Sequence, residues 1–235
     1  MTVRSRGIAL IVPAAGAGTR MKSCIRKPFL AIEEEPILNL TLERFAGVAD
    51  LDQIIVVLNP SDYDKRDDFA ESLRLRGVTD LVQGGSTRTQ SVANALCALR
   101  TGISTVLIHD AVRPFVQRRV ILGVIEAAQR AGAAIAAVPV KDTLKRVAGS
   151  LIAETAPREG LYIAQTPQGF SRELLERVYA GRSTDYTDDA ALVEQAGESV
   201  EIVESSYLNF KITSPEDLEL AEALMRAVRA GRVHF

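Results

Sequence analysis

The run Pro13-Ala14-Ala15-Gly16-Ala17-Gly18-Thr19-Arg20 directly follows an apolar stretch, and Lys27 stands a short way beyond it. Small residues let backbone N–H groups approach an anion closely, and glycine permits the positive φ angles such a turn needs. Two cations, Arg20 and Lys27, in one turn-rich loop suit the phosphates of a nucleoside triphosphate. The loop is a poor dinucleotide fingerprint, because Met21 holds the third glycine position, and no Gly-Lys-Ser/Thr follows to make it a P-loop.

Three further groups could do chemistry. In His109-Asp110-Ala111-Val112-Arg113-Pro114, Asp110 is a hard oxygen ligand suited to Mg²⁺ bridging phosphates, or else a turn or cap residue. Arg113 can neutralise or orient that carboxylate, and His109, with no partner in the sequence, reads as structural. Gly84, Gly85, Arg88 and Ser91 mark a glycine-rich junction that reads as an anion site at a helix start or as a plain cap with a surface arginine. Thr143, Arg158, Thr166 and Thr187 could build a second, smaller phosphate site, whereas Lys211 taken alone is a solvated lysine.

These groups need a scaffold, and the hydropathy pattern supplies one. Short apolar, β-branched runs at 8–12, 53–58, 81–83, 105–108 and 133–138 read as strands buried on both faces. Amphipathic stretches at 36–45, 61–75, 87–99 and 118–131 read as helices between them. The alternation predicts an α/β fold with a mostly parallel, doubly wound sheet, whose ligands gather at the carboxyl ends of the strands. After Pro139 the rhythm breaks. Residues 140–165 are polar and turn-rich, with Gly149-Ser150 between two strand-like runs, and read as a hairpin or arm. Helices resume at 171–179 and 188–195. A strand-like run at 200–204 precedes Lys211, read as lying at the end of that strand, and Ser214-Pro215-Glu216-Asp217 opens a last helix. Arg4 and Arg6 before the first apolar run imitate a signal peptide, but the brevity of that run and Pro13 favour a buried strand.

Composition bounds the function. The chain has 235 residues, 28 Lys+Arg against 30 Asp+Glu and a formal net charge of -2. At ~150 residues per domain this is one large domain or a domain with an appendage. Balanced charge argues against nucleic acid or acidic membrane as a partner. Two cysteines, Cys24 and Cys97, make no disulfide framework and suit a reducing, cytoplasmic setting. The absence of tryptophan and the 5% aromatic content argue against a stacking surface. No run of ~18 apolar residues is present to span a membrane.

Read in order, the motifs resemble one family from end to end. They are Pro13-Ala14-Ala15-Gly16 with Gly18, Arg20 and Met21; Lys27 before Phe29-Leu30; Gly84-Gly85 with Arg88 and Ser91; and His109 to Pro114. They continue through Val138 to Thr143, Gln165 to Gln168, Thr187-Asp188, and Asn209 to Leu218 with Lys211 inside it. The chain is similar to the 2-C-methyl-D-erythritol 4-phosphate cytidylyltransferases of the non-mevalonate isoprenoid pathway. The resemblance implies a Rossmann-like nucleotidyltransferase with a protruding β-arm: one domain over 1–235, with the arm inserted at about 140–165 and swapped across a homodimer. It implies reaction of CTP with methylerythritol phosphate to give the CDP-linked alcohol and pyrophosphate.

The resemblance also implies roles. Arg20, Lys27 and Lys211 would be the catalytic cations, and Asp110 would ligate Mg²⁺ or another divalent cation. Pro13, Ala14, Ala15, Gly16, Gly18, Gly84, Gly85, Arg88, Ser91, Asp110 and Arg113 would line the nucleotide pocket. Thr143, Arg158, Thr166 and Thr187 would bind the acceptor phosphate, the arm residues coming from the second copy. One departure stands out: Arg26-Lys27-Pro28 replaces a common Pro-Lys-Gln, and Pro28 removes one N–H donor from the loop. The alternatives are a ribitol-5-phosphate cytidylyltransferase and a non-catalytic module that senses CTP.

Overall fold

The computed structural model describes residues 7–16, 26–48, 50–180 and 185–233. Gly18, Arg20 and Cys24, singled out above, lie outside the described residues. In chain order the first elements are β1 (Gly7–Pro13), β2 (Ala31–Ile32), β3 (Glu35–Pro36), α1 (Ile37–Glu43) and β4 (Leu51–Leu58). Next come α2 (Pro60–Tyr63), α3 (Ala70–Arg74), β5 (Asp80–Gln83), α4 (Arg88–Cys97), β6 (Ile103–Ile108), α5 (Arg118–Ala131) and β7 (Ala133–Pro139). The chain continues with β8 (Leu144–Ala148), β9 (Leu151–Ala156), β10 (Tyr162–Ser171), α6 (Arg172–Tyr179), α7 (Asp189–Gln195), β11 (Glu201–Glu204) and α8 (Pro215–Arg229).

Seven strands form the central sheet in the order β11-β7-β10-β6-β1-β4-β5. All neighbours are parallel except β10, which runs antiparallel to both β6 and β7. The sheet is wound on both faces, and β1 shows how. Its Leu10 and Val12 enter one core with Phe45, Val56, Val120 and Val124. Its Ala9 and Ile11 enter the other with Val57, Val92, Phe170 and Leu175. A strand buried on both sides has no polar alternation to show, which is why 8–12 reads as an unbroken apolar run.

The helices obey local rules. α5 buries Val120, Ile121, Val124, Ile125, Ala127 and Ala128 along one stripe, and Gly132 ends it in the left-handed conformation at φ 89. Gly169 lets it dock on β10, because a Cβ there would lie 2.9 Å from Val124 and 3.0 Å from Ala128. α8 opens with a reciprocal capping box between Ser214 and Asp217.

Three expectations are corrected. The helix read over 61–75 is broken into α2, a 3-10 turn at Arg66–Asp68, and α3. β10 occupies the middle of the sheet, although 140–165 reads as an arm and no strand is read between it and the helix at 171; the pairing with β7 bulges between Ala164 and Gln168, which accommodates the proline. Lys211 is not at a strand end, since β11 stops at Glu204 and an irregular connection carries the lysine. Within 140–165, β8 and β9 pair with each other as a separate two-stranded sheet, with Val147, Leu151 and Ile152 exposed.

The β2–β3 connection offers a stability test. Its two central residues, Glu33 and Glu34, have φ 47 and 76. Positive φ at both is the signature of a type I′ hairpin, which favours Asn-Gly. Glu33 also pairs with Arg229 at 2.6 Å, so Glu34 is the residue to change. Glu34→Gly is expected to stabilise the protein by about 1 kcal/mol, the left-handed penalty removed less the entropy glycine adds. Scanning calorimetry should find the midpoint raised by roughly 2–4 °C for a chain of this size.

Candidate functional site

A cavity of about 800 Å³ opens at the carboxyl edge of the parallel strands. Its wall brings together Pro13, Ala14, Ala15 and Gly16 after β1, Lys27, Gly84 and Gly85 after β5, Arg88 and Ser91 on α4, Asp110 after β6, and Lys211. These residues span almost 200 positions of sequence; those after β1, β5 and β6 meet because parallel strands end on one side, and irregular segments carry Lys27 and Lys211 to the same edge. Gly84 is small for a packing reason. A Cβ on it would lie 2.6 Å from the Ala15 side chain and 3.1 Å from the Leu58 carbonyl, so only glycine lets the two loops close together.

Lys27 sits in a 3-10 turn, Lys27–Phe29, where Pro28 at the second position costs no hydrogen bond, since the N–H groups of a first turn have no partner within it. Its residue exposure is 8%, and Nζ donates to the Thr213 carbonyl at 2.6 Å. Thr213 is itself locked, its N–H and hydroxyl both donating to Asp217 Oδ2 at 2.7 and 2.8 Å. The capping box of α8 thus holds the acceptor that aims the ammonium.

Asp110 is the negative centre of the wall. Its Oδ2 accepts Arg113 Nε at 3.0 Å and faces Lys211 Nζ at 3.1 Å. Burial pushes its carboxyl up, but Lys211, Arg113 and Arg88 outweigh burial and hold it below the ordinary carboxylate range. Arg113 does not line the cavity; it is buried behind Asp110 and also donates to the Asn209 carbonyl at 2.8 Å.

His109 is a satisfied core residue, as its lack of a sequence partner suggests. The Arg113 carbonyl can only accept, so Nε2 donates to it at 3.1 Å and Nδ1 takes the Thr166 hydroxyl at 3.0 Å. Burial, only partly opposed by that carbonyl and by Asp110, pushes the imidazole down to about 4, so it is neutral near pH 7. The Thr166 hydroxyl also accepts the Asp110 N–H at 3.0 Å. It is spent inside the protein and braces Asp110 from behind.

Other predicted residues stand apart from this wall. Thr143 and Arg158 are exposed on either side of the β8–β9 hairpin, where Arg158 donates to the Lys141 carbonyl. Thr187 is exposed just ahead of α7. Arg88 lines the cavity, yet both its terminal nitrogens bind Asp189. Sequence reasoning missed Asn59, which follows β4 on the cavity wall, caps α2 and donates to the Ala15 carbonyl at 3.2 Å. An Asn-Pro pair at a strand's carboxyl end was the available signal.

The described residues contain no group of three or more His, Cys, Asp or Glu able to cage a metal ion. A single ionised carboxylate on a cavity wall nevertheless fits Mg²⁺, which keeps several waters and takes its remaining ligands from substrate phosphates.

Residues 8–227 match the family described as 2-C-methyl-D-erythritol 4-phosphate cytidylyltransferase. A protein of that name from Bacillus cereus is 42% identical over 220 residues, covering 92% of this chain and 97% of its own. One from Bacillus velezensis is 43% identical over 225 residues, covering 93% and 95%. Among solved structures, a 4-diphosphocytidyl-2C-methyl-D-erythritol synthase from Anaerococcus prevotii superposes with a TM-score of 0.81 at 32% identity, covering 95% of this chain and 98% of its own. The 2-C-methyl-D-erythritol 4-phosphate cytidylyltransferase of Thermus thermophilus gives 0.76 at 36% identity, covering 94% and 99%.

Proposed function

The chain belongs to the 2-C-methyl-D-erythritol 4-phosphate cytidylyltransferase family, and from this we infer that it joins CTP to 2-C-methyl-D-erythritol 4-phosphate and releases pyrophosphate. The observation that carries the reading to particular residues is the cavity wall on which Lys27, Lys211 and Asp110 converge.

The chemistry asks little of acid–base groups. An oxygen of the acceptor phosphate attacks the α-phosphorus of CTP, the bond from that phosphorus to the oxygen bridging to the β-phosphate breaks, and pyrophosphate leaves. The nucleophile is already an anion, so a neutral, fully bonded His109 is no deficit. The work is to bring two polyanions together and to stabilise negative charge spread over the in-line transition state. We assign Lys27, Arg20 and Lys211 to that charge. Asp110 would hold a divalent cation, which when bound neutralises the triphosphate. Asp110 also keeps Lys211 in register until substrate arrives. The exposed apolar residues Val147, Leu151, Ile152, Tyr162 and Ile163 support a homodimer through the hairpin, with Thr143 and Arg158 completing the acceptor site of the other copy. We read the hairpin as an insertion in a single nucleotidyltransferase domain. No described helix is long and apolar enough to cross a membrane, and a cytoplasmic setting is part of the same proposal.

Pyrophosphate release from CTP, measured with methylerythritol phosphate and with ribitol 5-phosphate in parallel, tests the acceptor. The reading requires much the larger kcat/KM with methylerythritol phosphate. Preference for ribitol 5-phosphate overturns it, as does CTP binding without release.

A further inference from the structure

Between the nucleotide cavity and Thr187 lies a buried ionic joint that neither the motifs nor the family reading assigns. Asp189 is fully buried. Its Oδ1 accepts Arg88 Nη1 at 3.0 Å and the Tyr179 hydroxyl, while its Oδ2 accepts Arg88 Nη2. The bidentate fork spends both terminal nitrogens of an arginine that lines the cavity. One residue along α4, the Thr89 hydroxyl donates to Asp185 Oδ1 at 3.1 Å and accepts the Tyr186 N–H at 3.1 Å. From β10, Gln168 Oε1 accepts the N–H groups of Asp189 and Ala190, each at 3.1 Å, and Nε2 donates to Asp188 Oδ2 at 2.8 Å. The exposed Thr187 is therefore held on both sides, by α4 before it and by α4 and β10 after it.

The same first turn of α4 faces the cavity, so the position of Thr187 is fixed relative to whatever the cavity binds. Were Arg88 instead to bind a phosphate, Asp189 would lose its paired cation in a site with no access to water, which is costly. We propose that Asp189 is a positioning residue for the transfer: it turns Arg88 into a strut, and the strut sets Thr187 against the nucleotide cavity. The proposal rests on the reading of Thr187 as an acceptor-phosphate residue. Its signature is a selective effect on one substrate, since loss of a correctly placed binding group raises KM for the ligand concerned.

The test uses the full-length enzyme, with KM for each substrate, kcat and thermal midpoint measured for wild type, Asp189→Asn and Thr89→Val. In Asp189→Asn, KM for methylerythritol phosphate should rise tenfold or more while KM for CTP stays within twofold. Thr89→Val removes the hydroxyl's two bonds and leaves only the backbone N–H on Asp185, weakening the second tether without disturbing a buried charge, so it remains informative if the first variant does not fold. It should raise the same KM severalfold with a near wild-type midpoint. A lowered midpoint with both KM values unchanged overturns the proposal in favour of a purely structural joint. A rise in KM for CTP alone also overturns it, by making Arg88 a nucleotide ligand. A wild-type enzyme that forms no CDP-alcohol overturns the functional reading together with this one, whereas an active wild type with an unmoved acceptor KM in both variants overturns this one alone.

Discussion

Lys27→Met is expected to lower kcat by ~10² or more, with a much smaller effect on KM for CTP, as when one preorganised donor to a developing anion is removed. The geometry explains why the loss should fall on kcat. Lys27 is buried as a residue, and its ammonium is held at the cavity wall by the Thr213 carbonyl at 2.6 Å. That carbonyl belongs to a turn pinned by three donors to Asp217, from Thr213 N–H, the Thr213 hydroxyl and Ser214 N–H. A charge fixed in advance needs no reorganisation as the transition state forms, and in a partly desolvated wall its field is weakly screened. Methionine preserves the length of the buried stem, so the variant should fold. Stopped assays of pyrophosphate release under CTP saturation measure the effect. Turnover within threefold of wild type would remove Lys27 from the reacting charge.

Asp110→Asn should cost as much, ~10² or more in kcat, and should in addition raise the concentration of divalent cation needed for half-maximal turnover. The carboxylate serves two neighbours at once, Arg113 at 3.0 Å and Lys211 at 3.1 Å. Asparagine keeps the shape, the backbone N–H to Thr166 and the possibility of a bond from Arg113, but supplies no negative charge. Lys211 then loses the partner that stations it, and the cavity wall loses the one carboxylate among its described residues. Titration of kcat against Mg²⁺ separates the two effects. A right-shifted, lowered curve is expected. A curve of wild-type shape and midpoint would remove Asp110 from metal binding, and full activity would remove it from the site.

The parts of the fold that were legible in sequence are those governed by local rules. The α5 stripe, the Gly132 stop and the Ser214–Asp217 cap are written within a dozen residues of where they act. β1, β4, β6 and β7 were legible because strands buried on both faces must be apolar throughout. β10 was not, because Gln165, Gln168 and Pro167 deny it that pattern. Those polar groups are satisfied by Ser206, Asn209 and Asp188, all distant in sequence. The helix read over 61–75 failed for a related reason: Asp62, Asp64, Asp67 and Asp68 favour caps and turns over helix interiors. Within the site, cations beside glycine-rich turns announced Lys27 and the α4 junction. Their partners did not announce themselves. Arg88 meets Asp189 across 101 residues and Lys27 meets Thr213 across 186, separations that only the assembled sheet brings together. That is why Arg88 reads as a ligand in sequence and as a bound partner in structure.

On the proposed route the acceptor's own phosphate attacks the α-phosphorus of CTP. Phosphorus NMR on the enzyme with CTP and methylerythritol phosphate carrying ¹⁸O in its phosphate tests it most directly. Pyrophosphate and a CDP-alcohol are expected in equal amounts, with the isotope shift of a bridging ¹⁸O on the cytidine-side phosphorus. Pyrophosphate with free CMP, or a product whose bridging oxygen is unlabelled, would contradict it.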